Sequence, residues 1–135
     1  MNGSHRQRWF LTALLIGTLY FLIGELFALP ANNVRAWRLA AWLASAAAYA
    51  AHIGYEHFRL RNSPRAIAFH AATGVAIGAF GLALGATVHS WLVPSSTPFI
   101  RFLLALVLWP VITALPAFLA AYVVSVVLAR LWRRA

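Results

Sequence analysis

The chain has no cysteine, no aspartate and no lysine among its 135 residues. Without cysteine it has no disulfides, no thiolate metal site and no cysteine nucleophile. Its only acids are Glu25 and Glu56, so it lacks the aspartate pair that intramembrane hydrolysis would use. Charged residues make up only 10% of the chain, whereas a soluble domain carries about 25%. We therefore expect neither an enzyme nor a soluble domain.

The chain is rich in long apolar runs, and 63% of its residues are hydrophobic. Four runs cover about residues 9–30, 38–58, 66–93 and 100–131. Each approaches or exceeds the ~20 residues that a helix needs to cross a hydrocarbon core of about 30 Å. The connections are short, so consecutive helices should be antiparallel neighbours. The sequence predicts an all-α, polytopic integral membrane protein: one transmembrane domain, residues 1–135, folded as a four-helix up-down bundle.

All eleven basic residues are arginines, and the formal net charge is +9. They lie at the ends of the apolar runs, which favours contact with anionic lipid headgroups and not nucleic acid. Three lie on one side of the predicted bundle: Arg35, Arg38 and Arg101. Eight lie on the other side: Arg6, Arg8, Arg59, Arg61, Arg65, Arg130, Arg133 and Arg134. The positive-inside rule then places both termini in the cytoplasm, and the arginine- and alanine-rich composition suggests a bacterial inner membrane.

Several ionisable side chains fall inside the apolar runs, where their cost makes each one a functional hypothesis. Counted from the second connection, His52 and His70 lie at the same depth in adjacent antiparallel helices. Glu56 lies one turn from His52 on the same helical face. We expect these three residues to form a polar cluster near the cytoplasmic side.

A second pair of ionisable residues, Glu25 and His89, lies at a shared depth near the outer side. A buried Glu25 could bind and release a proton near neutral pH, as proton-coupled transport requires. The alternative is a neutral or histidine-paired glutamate that only fixes the helix register.

The third run carries a stripe of small residues between His70 and His89. Its members recur at steps of three or four and stay within about 100° of helical arc; they are Gly74, Gly78, Gly81 and Gly85. Such stripes let another helix approach closely, and we expect the alanine-rich second helix to be that partner. The other interpretation is a face that admits a flat cofactor.

No cofactor is predicted, but two alternatives stay open. His52 and His70 would be the ligand pair for a haem, because neutral imidazoles ligate its iron. Together with Glu56 they would instead form a nitrogen-and-oxygen ligand set for a divalent metal. The fourth run contains Pro110 and Pro116, which predict either a bent packing helix or a hinge.

The sequence favours a small membrane protein with a role in transport or permeation, or an accessory subunit of a larger membrane complex. Glu25 is its candidate protonatable site. Four short helices enclose little volume, so we expect a homo-oligomer or a larger assembly in the bilayer, and no nucleic-acid partner. The alternative function is a haem- or metal-binding membrane protein that uses His52 and His70.

Overall fold

The computed structural model describes residues 3–93 and 96–132, with side chains from residue 8 onward. Arg133 and Arg134 and the side chain of Arg6, all part of the charge balance above, lie outside the described residues. The prediction of an all-helical chain is confirmed. A short π-helix, Tyr55–Arg59, continues the second helix. The four α-helices are α1 Gly3–Ala28, α2 Val34–Gly54, α3 Pro64–Leu92 and α4 Phe99–Trp132.

Three of these helices are long and apolar enough to cross a membrane: Arg8–Ala28, Pro64–Leu92 and Phe99–Trp132. The run predicted at 38–58 is not one continuous α-helix, because α2 ends at Gly54 and the π-helix follows. α2 has 21 residues. It begins with two arginines and then consists mainly of alanine, which is less apolar than leucine or valine. Length and composition therefore support three spans directly, and α2 is not among them.

α3 starts at a well-formed N-cap. Ser63 is extended, with φ −66° and ψ 152°, and its Oγ accepts a hydrogen bond from the backbone N–H of Ala66 at 3.4 Å. Pro64 occupies the first helical position, where a missing N–H costs nothing. The turn before it includes Arg61 in the left-handed region, with φ 51°. These local choices fix where the chain reverses between the π-helix and α3.

α3 is the central helix of the bundle. It packs most extensively against α4 and then against α1, whereas α2 contacts mainly α1 and has little contact with α3. The expectation that the glycine stripe packs against the second helix is wrong, because the stripe faces α1. A Cβ added to Gly74, Gly81 or Gly85 would meet Ile16, Phe21 and Glu25 of α1, respectively.

The backbones of α1 and α3 approach most closely at Gly17 and Gly78. A Cβ on Gly78 would lie 2.6 Å from Cβ of Tyr20 and 3.0 Å from the carbonyl oxygen of Gly17. A Cβ on Gly17 would lie 2.9 Å from the carbonyl oxygen of Gly74. Atoms at such distances overlap, so this crossing needs glycine on both helices. α1 carries its own glycine, Gly17, at this contact, whereas the glycine of α2 is its last residue, Gly54. This difference explains why the stripe of α3 packs against α1 and not against α2.

α4 is a single helix from Phe99 to Trp132 that passes through Pro110 and Pro116. Its 34 residues measure about 51 Å at 1.5 Å per residue, which exceeds the thickness of a hydrocarbon core. Pro116 has no N–H to donate to the carbonyl of Ile112, so that carbonyl loses its usual helical partner. Whether either proline acts as a hinge stays a prediction.

The close crossing of α1 and α3 at Gly17 and Gly78 leads to a prediction about stability. Gly78→Ala should lower the free energy of unfolding by about 1–3 kcal/mol, the usual cost of overpacking, because the new methyl group meets Tyr20 and backbone atoms of Gly17. The measurement is chemical unfolding in detergent followed by circular dichroism. Gly54→Ala is the control, since its Cβ would meet only a Phe58 ring carbon at 4.0 Å. Equal stability of the two variants would contradict this account of the crossing.

Candidate functional site

The π-helix after α2 orients the side chain of Glu56 towards the interior of the bundle. The backbone N–H of Leu60 donates to the carbonyl of Tyr55 at 3.3 Å, and that of Asn62 donates to the carbonyl of Glu56 at 3.2 Å. These bonds fold the connection back over the π-helix and bring Asn62 beside Glu56. Short π-helical segments are frequent at functional sites, and here the extra residue in the turn points a carboxylate at α3.

The Glu56 carboxylate lies between two imidazoles, and its residue is 0% exposed. Its Oε2 accepts a hydrogen bond from Nδ2 of Asn62 and lies 3.0 Å from Nδ1 of His70. Its Oε1 lies 3.7 Å from Nε2 of His52, beyond hydrogen-bond distance. The structure thus brings His52, Glu56 and His70 together. We call these three residues and Asn62 the Glu56 cluster.

Hydrogen-bond chemistry fixes the proton on one imidazole of the Glu56 cluster. A carboxylate only accepts, so Nδ1 of His70 must carry hydrogen when it bonds to Oε2. On the other side, both ring nitrogens of the buried His52 and Oε1 of Glu56 have no hydrogen-bond partner among the described residues. If Nε2 of His52 carried hydrogen, a shift of less than about 1 Å towards Oε1 of Glu56 would bring the two atoms within hydrogen-bond distance. The cluster therefore has one engaged and one unengaged imidazole.

The charge of Glu56 is set by two opposing effects, and the residue lies outside the three candidate spans. Burial raises the pKa of the Glu56 carboxyl, while the nearby His52 ring and the hydrogen bonds from His70 and Asn62 lower it more, so the net pKa lies below its usual value. The side chain is therefore an anion at neutral pH. It supplies a fixed negative charge between two groups that can each accept a proton.

Trp9 of α1 covers the Glu56 cluster at the His70 ring. Its ring stacks on the His70 imidazole, with centroids 4.9 Å apart and planes 5° from parallel. The indole therefore covers one face of the His70 imidazole. Three elements of the fold, α1, the end of α2 and α3, therefore meet at this one group of side chains.

Glu25 and His89, the other predicted pair, both lie exposed on the surface of the bundle. The Glu25 carboxylate lies against α3, since a Cβ on Gly85 would be 3.2 Å from its Oε1. Within residues 8–93 and 96–132, no hydrogen bond or ion pair joins Glu25 to His89 or to any other side chain. The structure does not bring this pair together.

A cavity of about 640 Å³ lies among the four helices. Its lining is almost entirely apolar and includes the side chains of Tyr20, Tyr49 and Thr113. Tyr49 of α2 donates a hydrogen bond from its hydroxyl to the carbonyl of Ala117 in α4. Neither histidine of the Glu56 cluster lines the cavity, although Tyr49 precedes His52 by one helical turn.

Metal and haem binding stay hypotheses. Among the described residues, no group of three or more histidine, cysteine, aspartate or glutamate side chains has an arrangement that could hold a metal ion. His52 and His70 face the same carboxylate through Nε2 and Nδ1, respectively, and an imidazole held in this way can still ligate a metal through its other ring nitrogen.

Sequence reasoning missed Asn62, Trp9, Tyr20 and Tyr49. Asn62 stands six residues after Glu56 in the connection, and nothing in the sequence marks the π-helix that brings the two together. Trp9 is an interfacial aromatic by its position, and only the helix crossing reveals that it covers His70. The hydroxyls of Tyr20 and Tyr49 lie inside apolar runs, and this is a signal that could have marked them as polar groups in need of partners.

The buried position of Glu56 predicts a large difference between the two glutamates. Glu56→Gln should lower the free energy of unfolding by about 1–3 kcal/mol, because buried donors lose their charged acceptor. Glu25→Gln is the matched control and should change it by less than about 0.5 kcal/mol, as exposed substitutions do. Chemical unfolding in detergent measures both. A greater loss in the Glu25 variant would contradict the burial described here.

The lowered pKa of Glu56 also predicts how stability depends on pH. A carboxyl group with a lowered pKa in the folded state stabilises the fold above its unfolded-state value of 4.5, and this contribution is lost as the pH falls further. The unfolding midpoint of the wild type should therefore fall more steeply below about pH 4.5 than that of Glu56→Gln. Glu25→Gln should keep the wild-type slope, and parallel curves for all three proteins would refute the assignment.

Comparison with known proteins gives no indication of function, so functional conclusions depend on the geometry of this structure. No protein-family model, no curated protein and no solved structure matches the chain. The Glu56 cluster, the exposed Glu25 and the cavity are the features that bear on function.

Proposed function

We propose that the chain is a four-span protein of a bacterial inner membrane with a role in transport or permeation, and that the Glu56 cluster is its protonatable site. The observation that carries the proposal is the fully buried Glu56 carboxylate with an imidazole on either side. Ionisable side chains buried in a membrane bundle are costly, and they mark ion and proton pathways more often than structural contacts.

Two features support α2 as a fourth span. Its 21 residues measure about 31 Å, enough to cross a hydrocarbon core. It also forms one wall of the cavity beside α1 and α4. Four spans return the chain to its starting side, and the excess of arginines there assigns both termini to the cytoplasm. The Glu56 cluster then lies at the cytoplasmic end of the bundle.

In this proposal the histidines of the Glu56 cluster accept protons and Glu56 provides the fixed counter-charge. His70 is already bonded to the carboxylate, and His52 faces an oxygen that lacks a donor. A proton that reaches Nε2 of His52 would draw its ring towards Oε1 of Glu56. That movement occurs one helical turn from Tyr49, at the wall of the cavity, which supplies a physical link between protonation and the centre of the bundle.

Glu25, the site favoured by the sequence, is replaced by Glu56 in this role. The Glu25 side chain is exposed on the outside of the bundle and has no partner among the described residues. Within one copy of the chain it faces no cavity, so a proton on Glu25 would have no path through the same bundle.

The test is proton entry into liposomes that contain the purified protein. Liposomes loaded with a pH-sensitive dye are given an inside-negative potassium diffusion potential, and acidification is followed. We expect wild-type protein to acidify the interior faster than protein-free liposomes, Glu56→Gln to return the rate to that background, and Glu25→Gln to keep the wild-type rate. Wild-type liposomes at the background rate would overturn the permeation role, and loss only in Glu25→Gln would move the site to Glu25.

The exposed Glu25 favours a second candidate, an accessory subunit or homo-oligomer. A carboxylate on a lipid-facing surface is costly, and a second helix with a hydrogen-bond donor at that depth would remove the cost. Glu25→Leu should then reduce the mass of the detergent-solubilised assembly, measured by light scattering, while Leu22→Ala, an exposed neighbour, should not. An unchanged mass would remove Glu25 from any interface between copies.

A further inference from the structure

We propose that the cavity among the four helices binds an uncharged, carbonyl-bearing lipophile of the quinone class, and that the Tyr20 hydroxyl donates a hydrogen bond to its carbonyl. The inference goes beyond the proton site. It rests on the proposed function only in treating the helices as embedded in a bilayer.

The size and chemistry of the cavity suit such a ligand. Its volume of about 640 Å³ lies within the range of ligand sites, about 300–1,000 Å³. No charged side chain lines it, and four aromatic side chains do: Tyr20, Trp42, Tyr49 and Trp109. Aromatic walls suit a flat ring, and the absence of charge excludes ionic ligands, whose desolvation nothing in the lining would offset.

One hydroxyl group at the cavity is buried and unpaired among the described residues. The Tyr20 hydroxyl is buried and has no hydrogen-bond partner in the part of the chain that the structure describes. The other hydroxyls mentioned above are engaged, since Tyr49 donates to the Ala117 carbonyl and Thr113 donates to the Trp109 carbonyl at 2.8 Å. A buried donor left unpaired is costly. Ser45 also lines the cavity, but among the described lining residues Tyr20 is the one whose buried polar atom lacks a partner. Tyr20 is therefore the group that a ligand with an acceptor oxygen would satisfy.

The depth of Tyr20 decides between two sources of a carbonyl. Tyr20 is eight residues from Ala28 and twelve from Arg8, the ends of its candidate span, so it lies about 12 Å and about 18 Å from them. The ester carbonyls of a phospholipid sit near its charged headgroup at the interface and do not reach that depth. An uncharged lipophile whose ring carries the carbonyl can do so.

The bundle also offers a lateral route into the cavity. α2 and α4 have little direct contact, and the bond from Tyr49 to the Ala117 carbonyl is the described hydrogen bond between them. Trp42 on the α2 side of the cavity is 77% exposed. A lipophile dissolved in the bilayer would enter between these helices without crossing water.

The experiment is quenching of tryptophan fluorescence in purified full-length protein by a short-tailed benzoquinone. We expect saturable quenching by the wild type. Tyr20→Phe keeps the ring and removes the hydroxyl, so its Kd should rise by about tenfold, the value of one hydrogen bond. Tyr55→Phe, an exposed tyrosine outside the cavity, is the matched control and should bind like the wild type.

Two further arms keep the proposal falsifiable. Ala79→Leu places a larger side chain in the cavity and should abolish saturable quenching; Ala120→Leu, also in the lining, replaces it if that variant does not fold. An alkylbenzene of the same tail length lacks the carbonyls, and diacylglycerol carries ester carbonyls without charge.

Non-saturable quenching of the wild type, an unchanged Kd in Tyr20→Phe, or tighter binding of diacylglycerol or the alkylbenzene would each overturn the proposal. The proton-entry rate of the Glu56 variants is measured separately, so failure here is distinguishable from failure of the proton site.

Discussion

The close backbone contact between α1 and α3 is the constraint on which the other features of the structure depend. At Gly17 and Gly78 the two helices approach more closely than any side chain would allow. This crossing places Trp9 of α1 over His70 of α3 at one end of the bundle. Nearer the middle it places Tyr20 along the wall of the cavity. The same close packing leaves α2 attached mainly to α1, and so leaves room between α2 and α4.

The Glu56 cluster is a polar feature of the bundle, whereas the cavity is an apolar one. In the cluster, Oε2 of Glu56 accepts two hydrogen bonds, whereas Oε1 accepts none from the described residues. Oε1 could therefore accept a hydrogen bond from one further N–H group. The cavity has almost no polar lining, and the buried hydroxyl without a partner among its described residues is that of Tyr20. α2 joins them, because Tyr49 and His52 lie one turn apart on that helix. A bundle of this size therefore places a proton-accepting group and an apolar binding volume within reach of one another.

The sequence allowed part of this arrangement to be predicted. The helical content followed from the length of the apolar runs. Counting residues from the connection placed His52, Glu56 and His70 at similar depths, because a short connection ties the depths of two antiparallel helices together. The partner of the glycine stripe was not predictable, since periodicity defines a helical face and says nothing about which helix covers it. The exposure of Glu25 was not predictable for the same reason, because the sequence does not show whether another helix covers its face of α1. The π-helix depends on one extra residue in a turn, for which hydrophobic periodicity has no signal.

The most direct test of the central claim is the distance between the Glu56 carboxylate and the His70 ring in protein reconstituted into lipid bilayers. The chain has only two glutamates, so solid-state NMR with carbon-labelled glutamate carboxyls and nitrogen-labelled histidine rings gives two carboxyl signals, which Glu25→Gln assigns. The account predicts strong dipolar coupling between the Glu56 carboxyl carbon and the histidine ring nitrogens, and none for Glu25. A Glu56 signal without coupling to any histidine would show that the carboxylate is not held by imidazoles, and would contradict the site on which the proposed function depends.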